Sequence, residues 1–326
     1  MNRKKNRIIL FIAIFLYIPL GLLQVSIDYL RKAEDLEGRM LLMPGQVAGS
    51  LVLGGFRGIA ADLLWLNVED FWHKGQHYKM LPLLDSVSWL QPQYITVWAI
   101  GGWHMAYNIF ANVSGNAAKF EKQLDEKFQG LSKEAQKKAQ PVMKIARDIM
   151  DLREDLQGYD APGMAEDRIP SILARLDGYD AALAKLHKNS DIQPVVEIAQ
   201  SLASVPREEL FWYRKGIEFL KKGLTYNREK YDLYFELGWT YYHKGMDYAN
   251  AARYLERAVK FPHPDYVDSV LAHAYELNGE VDKALAQWEK QLNTGFSSVA
   301  ERAVHAIKKD GAFTPKRRRK LGLDPE

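Results

Sequence analysis

The 326-residue chain contains no cysteine. Within these residues that excludes disulfides, cysteine-ligated zinc and a lipid-bearing cysteine. A surplus of either charge is also missing: 44 Lys and Arg face 41 Asp and Glu, for a net charge of +3. That balance is not the electrostatic footprint of a nucleic-acid binder, and no nucleic-acid partner is expected. No phosphate-cradling Gly-x-x-x-x-Gly-Lys loop and no Gly-x-Ser-x-Gly elbow occurs. Gly54, Gly55 and Gly58 follow no strand pattern, so they read as close backbone packing rather than a dinucleotide fingerprint. The expectation is therefore a non-enzymatic protein without a cofactor. With 47% hydrophobic and 26% charged residues, the chain has the composition of one or two folded domains.

Residues 8–27 form a 20-residue run without charge, preceded by Arg3, Lys4, Lys5 and Arg7. An apolar helix of that length spans a hydrocarbon core about 30 Å thick. The basic cluster lies before the run, while mixed charges from Asp28 to Arg39 follow it. This asymmetry predicts a single-pass anchor in contact with membrane lipid, N-terminus cytoplasmic and the bulk of the chain outside. A cleaved secretory signal has the same charged start, but no small-x-small pattern follows the run. Residues 28–57 then read as a neck containing the turn signal Pro44-Gly45.

Further on, Leu237, Gly238, Tyr241, Gly245 and Tyr254 are matched 34 positions later by Leu271, Ala272, Tyr275, Gly279 and Trp288. The same register places Phe71, Gly75, Leu84 and Pro92 opposite Tyr241, Gly245, Tyr254 and Pro262. Small residues where helices cross, bulky ones between pairs and a turn glycine in each unit resemble the tetratricopeptide repeat. Asn250 and Phe296 depart from that pattern, standing where a small residue and a proline are expected. The resemblance implies an all-α solenoid of paired helices, each pair burying its apolar face against the next.

Residues 58–110 and 207–309 carry the repeat-like pattern, the latter closing with a capping helix at 299–309. Between them, residues 111–206 read as a helical insertion that projects as a solvated hairpin. Its helices are expected at 117–129, 133–156, 165–188 and 192–202, with Ser132 and Asp191 as N-caps, Gly130 and Gly158 as stops, and Pro141 a possible break. The helix beginning near Trp98 lacks an adjacent partner, and 211–224 supplies a matching second helix. One repeat split by the insertion, or two half-repeats, both fit. Residues 310–326 read as a basic tail without a core, its Lys316–Lys320 run solvated or touching lipid or a partner.

In repeats of this kind the first helix of each pair grips a protein partner on a concave face. Carried over by position, that face holds Trp65, Glu69, Trp72 and His73, then Trp103 and Tyr107. Phe235, Trp239, Tyr242 and His243 follow, and then Tyr266 and His273. The groove would be aromatic, whereas members that clamp a terminal carboxylate use Lys, Arg and Asn. A helical aromatic stripe is also what a packed core looks like. His73 and His77 have i,i+4 spacing, but Gly75 marks a turn between them, so no metal site is expected. Asn112-Val113-Ser114 matches a glycosylation sequon, a pattern frequent by chance. The functional expectation is a membrane-tethered scaffold for another envelope protein at the inner membrane, its bulk periplasmic. An accessory subunit of a membrane transporter, secretion or enzyme complex is the alternative.

Overall fold

A computed structural model describes residues 57–158 and 160–323. The described residues form helices and no strands. None of these helices is long and apolar enough to cross a membrane, and the apolar run at 8–27 lies outside the described residues.

Residues 57–94 form one compact unit, a hairpin of α1 (Arg57–His73) and α2 (His77–Leu90). Gly75 makes the turn at φ 66°, a left-handed conformation open to glycine at no steric cost. Its amide donates to Trp72 O and the Gln76 amide to Phe71 O, closing the end of α1. Ala61 and Val68 on α1 meet Met80, Leu84 and Val87 on α2, a helical spacing that puts each set on one face.

The second unit begins at Ile95. Helix α3 (Ile95–Trp103) widens into a π turn at His104–Ile109 and continues without a break as α4 (Phe110–Gln129). Next come α5 (Lys133–Gln157), α6 (Ile169–Leu186) and the long α7 (Gln193–Leu224). Helix α8 (Tyr231–Trp239) also ends in a π turn, Thr240–Gly245. It is followed by α9 (Tyr248–Ala258), α10 (Tyr266–Leu277), α11 (Val281–Lys290), α12 (Ser297–Asp310) and α13 (Pro315–Lys320). Ser132 caps α5 by accepting the Ala135 amide, and α5 runs straight through Pro141. Asp191 is no cap; its carboxylate pairs with Lys138 at 2.6 Å.

Helix α7 is the hub, packing on α3, α4, α5, α6 and α8. Glycines let α3 and α7 approach closely. A Cβ on Gly216 would lie 2.7 Å from Gly102 O, and one on Gly223 2.4 Å from the Trp98 ring. Trp98 is thereby wholly buried, which contributes about 1.5–3 kcal/mol. The 111–206 segment does not project as a solvated hairpin. Val113 and Leu124 of α4, and Val142, Ile149, Leu152 and Leu156 of α5, are all buried, with α4, α5 and α6 each against α7. Among them the Glu209 carboxylate is fully covered and is forked by Arg153, whose guanidinium also reaches Ser114.

Two extended pieces tie this bundle to the later helices. The loop at 160–168 crosses the turn after α8, where the Met164 amide donates to Gly245 O at 2.7 Å and the Glu166 amide to Asp247 Oδ2 at 3.1 Å. The Tyr241 hydroxyl donates to the Glu166 carboxylate. The basic segment, expected to lack a core, is docked instead. Glu276 accepts the Phe313 and Thr314 amides, buried Arg318 pairs with Asp310, Arg319 pairs with Asp160, and Lys316 donates to Ala161 O. Its charges find fixed partners on α10, α12 and the 160–168 loop, which composition could not reveal.

An aromatic face on α3 and α8

The predicted partner-binding residues fall into separate groups. In the hairpin, the Trp65 indole N–H donates to Glu69 Oε1 at 2.7 Å, and the Trp65 ring meets Tyr94 edge-on. Trp72 and His73 are exposed, and His73 Nδ1 lies 2.8 Å from Glu69 O.

In the second unit, α3 and α8 lie side by side and their rings form one array. Trp103 stacks on Tyr107 at 6.2 Å, and Tyr107 meets His243 at 5.8 Å. His243 stacks on Trp239 at 5.1 Å, and Trp239 on Phe235 at 6.3 Å. Phe235 meets Tyr266 of α10 edge-on at 5.2 Å. Tyr242 stacks on Trp239 and turns its ring toward Tyr248. Both π turns lie in this array, and by adding a residue to the helical turn they place Tyr107 against His243 across the helix boundary. Trp103, His243 and Tyr266 are exposed, while Trp239, Phe235 and Tyr107 are partly covered, so this is a surface and not an interior stack.

His273 does not join the array. Its ring stacks on Phe313 and stands edge-on to Trp288, where burial holds its pKa down at about 4. The docked segment that brings Phe313 back to α10 is what removes His273 from the face.

Two charged groups here were not singled out from sequence. Glu236 is one residue after Phe235 and three before Trp239, in line with Asp232 on the same stripe of α8. Burial, with Asp232 as the lesser cause, pushes its carboxyl up to about 7. Its field in turn reaches the phenols of Tyr107 and Tyr266, both raised chiefly by burial, Tyr266 to about 12. Lys244, on the π turn, places its ammonium 3.7 Å from the Phe110 ring centre and 5.7 Å from that of Tyr107. Burial lowers its pKa to about 8 against the opposing pull of Glu209. His243 is also lowered, by burial and then by Lys244, and stays neutral at pH 7.

Chemically the face offers ring surfaces, one carboxyl and one aromatic-bound ammonium. Among the described residues no group of three His, Asp or Glu side chains is placed to hold a metal ion. Comparison with known protein families and with curated proteins gives no match to this chain.

Proposed function

We propose that the protein is a scaffold of tetratricopeptide-like helix pairs, tethered to the inner membrane through residues 8–27, that holds another envelope protein on the aromatic face of α3 and α8. The single observation that supports this most is the ring array from Trp103 to Tyr266, assembled from two neighbouring first helices and left accessible. Rings with a polar edge bury a large area on binding and still offer a hydrogen bond, which suits them to a partner surface. The charge pattern and apolar length of the first 27 residues support the tether. Confinement near the bilayer raises the effective concentration of the face toward other membrane components.

The test is photocrosslinking in intact membranes from a probe at Trp103, compared with a Trp103→Ser, Trp239→Ser double variant. One discrete adduct, lost in the double variant while helicity and melting stay unchanged, supports the scaffold. Unfolding of the double variant would show that the two rings serve the core. Stable co-purification with a multi-span complex would favour the accessory-subunit reading.

A further inference from the structure

We propose that Glu236 and the rings around it form a subsite for an arginine side chain of the bound partner, with apolar side chains of the same segment seated on either side. This rests on the reading of the aromatic face as a protein-binding surface and adds the chemistry of what it binds.

Glu236 lies on the same stripe of α8 as Asp232, Phe235 and Trp239. Its field reaches Tyr107 on one flank and Tyr266 on the other, so the carboxyl sits within the array and not at its margin. No described side chain donates a hydrogen bond to it or pairs with it. The nearby cations are committed: Arg153 to Glu209, Lys221 to Glu166, and Lys244 to the rings of Phe110 and Tyr107. A largely covered carboxyl without a donor is costly for the free protein, and a cation supplied from outside removes that cost.

The surroundings select among cations. A guanidinium is planar, stacks on ring faces and forks two N–H groups onto one carboxylate, whereas an ammonium is compact and strongly hydrated. Phe235, Trp239 and Tyr107 supply the ring faces, and Asp232 adds a second negative charge four residues away. Apolar contacts are available on both flanks, from Trp103 at one end to Tyr266 at the other. The complementary segment therefore carries arginine between apolar residues.

The experiment uses the full-length protein in detergent micelles and a fluorescein-labelled nine-residue peptide of leucine and serine with one central position. Arginine, lysine, citrulline or glutamate occupies that position, and binding is read by fluorescence polarisation. Arginine is expected to bind tightest, with citrulline, its neutral isostere, weaker by roughly tenfold or more. Glu236→Gln should erase the arginine-over-citrulline preference while keeping the residual binding that the rings provide. Retention of the preference in Glu236→Gln, equal binding of arginine and citrulline by the unaltered protein, or binding of none of the four peptides would each overturn the subsite. The scaffold reading fails by a different result, an unchanged membrane crosslink in the Trp103→Ser, Trp239→Ser variant.

Discussion

Replacing Glu236 by glutamine changes one charge and almost no volume, so its effect on stability isolates the electrostatics of the aromatic face. The folded protein holds this carboxyl at about 7, against an ordinary value of 4.5, because the side chain is largely covered and Asp232 is close. Below pH 4.5 the group is protonated in the folded and unfolded chains alike, and the substitution is nearly neutral. Between pH 4.5 and 7 the unfolded chain releases its proton while the folded chain keeps it, so stability falls as pH rises. Above pH 7 the folded protein carries the full cost of a desolvated carboxylate. That difference of about 2.5 units corresponds to up to about 3 kcal/mol, less whatever solvent reaches the partly exposed side chain. Glu236→Gln should therefore match the parent at pH 4 and exceed it by up to about 3 kcal/mol at pH 8. Urea unfolding of both proteins at pH 4, 6 and 8, followed by tryptophan fluorescence and circular dichroism, measures the difference. A glutamine variant that is less stable at pH 8, or a difference independent of pH, would refute the buried, donorless carboxyl and the subsite built on it.

Other perturbations test the framework behind the face. Because burial holds His273 neutral down to about pH 4, its contribution is present above pH 6.5 and lost as pH falls toward 4. His273→Leu should flatten that acid limb, by up to about 3 kcal/mol at pH 4 in urea titrations. Arg153→Met strands a carboxylate with no exposed surface and should cost about 3–5 kcal/mol, while adding Glu209→Leu should restore most of it, as a double-mutant cycle would measure. A methyl on Gly223 would meet the Trp98 ring at 2.4 Å, so Gly223→Ala should lower stability by about 1–3 kcal/mol. At Gly178 nothing lies within 4 Å, and alanine there should raise the melting temperature slightly, consistent with a gain of up to about 1 kcal/mol.

What could be read from the residues was what local pattern controls. Gly75 and Gly279 mark left-handed turns because the chain reverses there at positive φ. Ser132 caps α5 and Gly130 ends α4 because those effects act within one turn. Placement set by distant contacts was not legible. Asp191 resembled a cap in sequence but is drawn to Lys138, and the basic segment resembled a solvated tail until Glu276, Asp310 and Asp160 engaged it. The π turns had no sequence signal, yet they bring Tyr107 to His243. Glu236 was missed for a similar reason: a glutamate on a helix is ordinarily solvated, and only the neighbouring helices cover it.

The aromatic face depends on residues far apart in the chain, because Trp103 and Tyr107 on α3 reach Trp239 and His243 on α8 only where α7 supports both helices. For a flexible connection, lengthening the link between α3 and its partner from about ten to about a hundred residues would cost only about 2 kcal/mol in closure entropy. Burying Trp98 against Gly223 is of similar size, and Leu220 and Phe219 pack on Gly102 and Gly101 in addition. Here the link is not flexible, since α4, α5 and α6 fold onto the same α7 and carry the chain back toward α3. The bundle at 110–206 therefore acts on the face through geometry, by fixing the end of α7 on which α3 rests. Loosening the bundle should weaken the Tyr107–His243 contact before it disturbs Phe235 and Tyr266, whose helices belong to the later part of the chain.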